Sequence, residues 1–178
     1  MRSFFGSGGA DEAFDDQGSF VPAHLPEPGP FLADAEVLTG DDHAAVHETA
    51  RECFEERGVY DVTFGYNLAR LNLDQRHPNA GFRYGVDGDD LRAEFTPTTE
   101  FCPQSDTLTV GAFRAWNGLE ERHDYELVRV RVAPSHQRAD AVNDRLAALE
   151  EAYVETGELP DAETPDPNGG AGDDALPF

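Results

Sequence analysis

The sequence predicts a small α/β domain, an α+β two-layer fold with its elements in the order α-β-β-α-β-α. Three observations carry this. Apolar residues recur at three- and four-residue intervals in three separate stretches, as in helices with one buried stripe. Leu127-Val128-Arg129-Val130-Arg131-Val132 alternates strictly, as a strand with one buried face does. Asp87-Gly88-Asp89-Asp90 divides two short apolar runs in the manner of an Asp-Gly hairpin turn.

The elements follow in order. Asp41-Asp42 opens the first helix, and Ala45, Val46, Thr49, Ala50, Cys53 and Phe54 form its apolar stripe. Gly58 ends it, where a left-handed residue is common. The stretch through Asn67 to His77-Pro78 reads as a loop. Residues 82–86 form a strand and residues 91–98 return beside it, with Leu91, Ala93 and Phe95 on one face. Residues 104–122 read as a helix interrupted at Gly111, with Leu108, Ala112, Ala115, Trp116 and Leu119 on its apolar side. The alternating strand is next, and residues 139–155 close the domain as a helix striped by Val142, Leu146, Leu149 and Tyr153. A strand–helix–strand succession implies a right-handed crossover and a parallel pair.

This organised part spans residues 41–157. Residues 1–40, rich in Gly, Pro and Asp, read as a mostly disordered acidic arm. Phe20-Val21 and Phe31-Leu32 are its residues able to dock. Residues 158–178 read as a disordered acidic tail. The chain of 178 residues carries 36 acids against 13 bases, a formal net charge of −23, and every base is Arg. There is no Lys and no Ile. Each terminal stretch holds a net −6, so the two carry about half the charge. Such a chain lacks the basic patches that neutralise nucleic-acid phosphates or engage anionic membrane surfaces. No apolar run approaches the ~20 residues of a membrane span, and no secretory leader opens the sequence. A cytoplasmic protein is expected. The acidity reads as halophilic, an adaptation to a salt-filled cytoplasm, because molar salt cuts the Debye length to ~3 Å and relieves self-repulsion.

Few residues here could carry chemistry. Cys53 lies on the stripe of the first helix and reads as a packed core thiol. Cys102 sits between a strand and a helix, in Thr98-Thr99-Glu100-Phe101-Cys102-Pro103. Pro103 suits a first helical turn, which places the Cys102 sulfur near free helix N–H groups that favour thiolate. His43 and His47 have a metal-compatible spacing but stand at the solvated start of a helix and read as surface residues. His77 and His123 look ordinary. His136, in Ala133-Pro134-Ser135-His136, follows a strand parallel to the one before Cys102, so both residues fall at the same sheet end, where ligand sites gather.

At this point the chain resembles the metal–sulfur cluster biosynthesis domain, the small assembly-factor domain of iron–sulfur targeting proteins. The same domain occurs in an assembly protein for the phenylacetate-pathway monooxygenase. Asp61-Val62-Thr63-Phe64-Gly65-Tyr66-Asn67-Leu68 keeps the Asp and Asn of that family's first signature, with Val62-Thr63 in place of its Pro-Glu. Asn72 stands where the family has a glycine. A hairpin follows. Thr98, Thr99, Cys102 and Pro103 match the Thr-Thr-Pro-Gly-Cys-Pro motif, with Glu100-Phe101 replacing Pro-Gly. A helix, a Val-rich strand with Pro134 after it, and a closing helix complete the likeness over residues 43–150. Ser135-His136 takes the place of the usual Pro-Trp pair.

The resemblance implies an accessory protein, not an enzyme. Cys102 would hold or pass iron or an iron–sulfur cluster, helped by Thr98 and Thr99. Asp61 and Asn67 would line the site, and His136 would add a ligand. One thiol falls short of the four cysteines a typical cluster takes. The rest would come from a homodimer or from protein partners, either the assembly machinery or client apoproteins. The alternative is a non-catalytic protein-binding module on the same fold, using Phe64, Tyr66, Phe82 and Tyr84 as exposed aromatics. A thiol enzyme with Cys102 as nucleophile and His136 as base ranks last, since no hydrolase motif accompanies the pair.

Overall fold

The computed structural model describes residues 14–16, 18–61, 65–99 and 104–159. The predicted elements are present: α1 (Gly40–Arg57), the hairpin of β4 (Gly81–Asp87) and β5 (Asp90–Thr96), α2 (Ser105–Gly118), β6 (Leu127–Val132) and α3 (Ala139–Thr156). Three short strands join them: β1 (Glu36–Val37), β2 (Tyr60–Asp61) and β3 (Tyr66–Asn67). The main sheet runs β1-β4-β5-β6, with β5–β6 the parallel pair and the other neighbours antiparallel. β2 and β3 form a separate two-stranded ribbon. The fold is α+β, as expected.

Strand alternation divides the sheet into two faces. Phe82, Tyr84, Leu91, Ala93, Phe95, Val128, Val130 and Val132 join one core with Ala50, Cys53 and Phe54 of α1 and Ala112, Ala115 and Trp116 of α2. Gly111 does not interrupt α2. It packs against Val59, whose methyl carbons lie 3.5 and 3.6 Å from the position a Cβ would take. The helix runs through because its apolar stripe is held by the sheet on either side of that residue.

The opposite face carries Arg83, Gly85, Arg92 and Glu94, and here the expectation of a largely disordered arm is corrected. Residues 18–38 lie across these side chains. Leu25 and Leu32 are buried, and 3-10 turns at Pro22–His24 and Pro30–Leu32 fold the arm onto the sheet. Arg83 donates to Pro26 O at 3.0 Å, Arg92 donates to Phe31 O at 2.8 Å, and Gly29 N–H donates to Glu94 Oε1 at 2.6 Å. Gly85 permits the close approach: a Cβ there would sit 2.8 Å from Ala35 Cβ. The arm is polar in composition, but its few apolar residues and its carbonyls meet a sheet face built to receive them.

The segment expected as a loop before β4 is a buried 3-10 helix, Leu68–Leu73. Asn72 pins it to the sheet by donating to Phe82 O at 2.7 Å and accepting from Phe82 N–H at 2.6 Å. Two other asparagines seal the free edge of β6. Asn117 of α2 bonds both backbone groups of Val128, and Asn143 of α3 bonds both of Val132. Among the described residues, no helix is long and apolar enough to cross a membrane.

Candidate functional site

Because β5 and β6 are parallel, the segments that follow them leave the same end of the sheet. Ala133 N–H donates to Phe95 O at 2.8 Å, locking the two exits side by side. Thr98 is half-buried and Thr99 exposed on the first exit. His136 sits on the second, 5% exposed. It is held in a tight turn, with its N–H on Ala133 O at 3.1 Å and its carbonyl receiving Ala139 N–H at 3.1 Å. Its Nδ1 accepts the Arg138 N–H at 3.0 Å, which fixes the orientation of the ring. Cys102 lies outside the described residues, which resume at Gln104, one position before α2 begins.

Asp61 and Asn67 lie on the β2–β3 ribbon, where Tyr60 pairs with Asn67 and Asp61 with Tyr66. The Asn67 amide is committed to the fold. Its oxygen accepts Ala69 N–H at 2.8 Å and starts the 3-10 helix, while its nitrogen donates to Arg51 O at 3.0 Å and to Glu55 Oε1 at 3.3 Å. The ribbon faces the first turns of α2 across a cavity of about 200 Å³ that includes Val59, Tyr60, Thr107 and Gly111. So the Asp61 strand and the helix that follows Cys102 border one space. Arg57 and Arg114 also line it, a basic spot on an acidic chain.

Other residues are placed differently from their expected positions. His43 and His47 are buried, at 2% and 5% exposure. Elements distant in sequence cover them. Phe20 of the arm packs against His43 in a tilted ring contact at 5.0 Å, and His47 bonds Ala69 O of the 3-10 helix and Tyr84 Oη, each at 2.6 Å. Burial, then the charge of its neighbours His47 and Arg83, lowers the His43 pKa to about 3; burial lowers that of His47 to about 4. Both rings are neutral core groups. Phe82 and Tyr84 are also fully buried, so they supply no exposed aromatic surface; Tyr66 is half-buried and Phe64 lies outside the described residues. Cys53 is the core thiol expected, with burial raising its pKa to about 11.

Asp74 carries a role that the sequence did not announce. It is fully buried and takes Tyr66 Oη–H at 2.7 Å and three N–H groups of Arg76. Burial pushes its pKa up, but these bonds outweigh that and hold it below the usual carboxylate range. Among the described residues, no three His, Cys, Asp or Glu side chains gather at a metal-sized spacing.

One family model matches the chain, that of a domain of unknown function (DUF7998), over residues 12–160. No curated protein and no solved structure matches it. The matched span takes in the docked arm together with every described helix and strand of the sheet and stops beside the last described residue, Leu159. The chain therefore belongs to the DUF7998 family.

Proposed function

We propose that this chain is an accessory protein of iron–sulfur cluster assembly or targeting, in which Cys102 holds or passes a metal ion or cluster as cargo. One observation supports the reading above others. The parallel β5–β6 pair sends the Thr98–Thr99 segment and the buried His136 out of the same end of the sheet, with Ala133 N–H on Phe95 O between them. The order of helix, hairpin, helix, strand and helix is also the order that the assembly-factor resemblance calls for.

The chemistry follows from the ligand count. One thiolate supplies one of the four ligands that a typical cluster takes, and His136 would supply a second at most. The cargo is then shared with another protein, or with a second copy that brings its own Cys102. Sharing suits transfer, because each ligand released by one protein can be replaced by one from the other. Asp61 is carried on the ribbon beside the cavity, and Asn67 ties that ribbon to α1 through its bonds to Arg51 O and Glu55. No substrate is turned over.

The test is anaerobic reconstitution with iron and sulfide in molar KCl, followed by absorption spectroscopy. A visible chromophore that Cys102→Ala abolishes and His136→Ala weakens supports the reading. The absence of any Cys102-dependent chromophore, with or without a cluster-donating protein, overturns it.

A further inference from the structure

The opposite end of the sheet holds a second feature, independent of the thiol site. The β4–β5 turn, the outward side of α1 and the connection from α2 to β6 enclose an open cleft of about 460 Å³. This lies within the size range of ligand sites, ~300–1,000 Å³. Trp116, His123 and Tyr125 are among its lining residues, Trp116 being fully buried beneath the surface. The three rings form a file, with centroids 5.4 Å apart from Trp116 to His123 and 5.7 Å from His123 to Tyr125. His123 is held in place on both sides: Nε2 pairs with Trp116 O at 2.8 Å and Nδ1 accepts the Tyr125 N–H at 3.2 Å. Trp116 Nε1–H is buried beneath these rings with no hydrogen-bond partner.

The free charge around the cleft is mostly acidic. Asp89 and Asp124 line it. After burial, the carboxylates of Asp124 and Asp42 are what raise the Tyr125 pKa, so both stand close to that ring. Arg122 is the one base in the lining, and it is taken by Glu56 and, at 3.7 Å, by Glu52. Aromatic faces ringed by carboxylates attract organic cations. The acids also continue past the cleft, through exposed Asp41 and Asp42 on the first turn of α1 and exposed Glu121 and Glu126 on the other bank. A run of basic residues would meet opposing charge at each step, where a lone cation would meet only the centre.

We propose that this cleft docks a basic segment of a partner protein. One arginine or lysine side chain lies over the Tyr125 and His123 rings, with Asp89 and Asp124 beside its charge. In salt, the short-range ring contact persists after long-range attraction is screened.

Trp116 is the chain's single tryptophan, so its emission reports on the cleft directly. The full chain is titrated in molar KCl with an arginine-rich peptide, with the same peptide carrying glutamine for arginine, and with free arginine. A saturable change in Trp116 emission is expected with the basic peptide alone. Tyr125→Leu weakens it about tenfold. Paired Asp89→Asn and Asp124→Asn weaken it about twofold in molar KCl and at least threefold at about 0.15 M salt, where exposed charge pairs are less screened. Glu151→Gln, exposed on α3, leaves it unchanged. Circular dichroism checks each variant, and if Tyr125→Leu does not fold, the exposed aspartate pair carries the test. Equal binding of the glutamine peptide, an unchanged emission, or wild-type affinity in the variants overturns the proposal. So does free arginine binding as tightly as the peptide, which would mark a small-cation site.

Discussion

Asn117 makes the energetic logic of this fold measurable. It is 4% exposed, and its amide is the bonding partner of both backbone groups of Val128 on the free edge of β6. Nδ2 donates to Val128 O and Oδ1 accepts Val128 N–H, each at 2.9 Å, and Nδ2 also donates to Phe113 O at 2.9 Å. In Asn117→Ala, the N–H and C=O of a fully buried residue lose these partners. Each unmet buried group costs ~1–3 kcal/mol, so a loss of about 4 kcal/mol is expected. That is a large share of the ~5–15 kcal/mol that holds a typical domain. The assay is denaturant unfolding in molar KCl, followed by far-ultraviolet circular dichroism and Trp116 emission. Asn117→Asp separates hydrogen bonding from packing. It keeps the acceptor for Val128 N–H but sets carboxylate oxygens against two carbonyls, so it should be nearly as damaging despite its equal size. Asn143→Ala, at the other end of the same edge, should cost only about 1 kcal/mol, because Asn143 is half-buried and water can replace it. A loss below about 1 kcal/mol in Asn117→Ala, or a stable Asn117→Asp, would show that the edge is not held by these bonds.

Three further outcomes are expected. His43 and His47 titrate at about 3 and about 4 in the folded chain, below the ~6.5 of an unfolded histidine. Their contribution is therefore full above pH 6.5 and lost on acidification toward pH 3, reaching ~2 kcal/mol each by pH 5. The raised pKa of Glu94 acts in the opposite sense, since protonation relieves its burial. His43→Phe should remove its share of the acid slope, and unfolding midpoints at pH 7 and pH 5 that still differ as in wild type would refute this. Gly29→Ala would set a Cβ 2.5 Å from Glu94 Oε2. It should lift the arm at a cost of ~1–3 kcal/mol, seen as faster proteolysis within residues 18–38, and unchanged cleavage would count against it. Arg83→Lys should loosen the same segment, because one ammonium cannot replace a guanidinium that reaches both Pro26 O and Leu38 O; wild-type protection would refute it.

The parts of this fold legible in the sequence are those with a period. The stripe of α1, the alternation of β6 and the Asp-Gly turn between β4 and β5 are local patterns, and each appears where it was expected. The parallel β5–β6 pair followed from a strand, a helix and a strand in succession, and with it the shared exit of Thr98 and His136. What was not legible depends on partners far along the chain. Residues 18–38 have the composition of a disordered segment, and they fold because Arg83, Arg92 and Glu94 receive their backbone groups. His43 and His47 sit at the start of an acidic helix, and their burial needs Phe20, Ala69 and Tyr84. The 3-10 helix at residues 68–73 has no period of its own and is fixed by Asn67 and Asn72.

The absence of lysine has a structural meaning on the sheet face under the arm. Arg83, Arg92 and Arg131 are on the sheet face under the arm. Arg83 spans two arm carbonyls, and Arg92 donates to Phe31 O while its other nitrogen pairs with Asp87. Arg131 binds Val130 O and Glu150, and both Arg92 and Arg131 lie against the Phe31 ring. Each guanidinium makes several directed contacts at once or adds a planar face to an aromatic ring, and an ammonium offers neither. In a chain of net charge −23, bases spent only on neutralising neighbours would contribute little, since exposed ion pairs are worth ~0–1 kcal/mol and less in salt. Bases directed at backbone carbonyls under a covering segment keep their value when the solvent is salty. The arm is thus the element that puts those arginines to structural use.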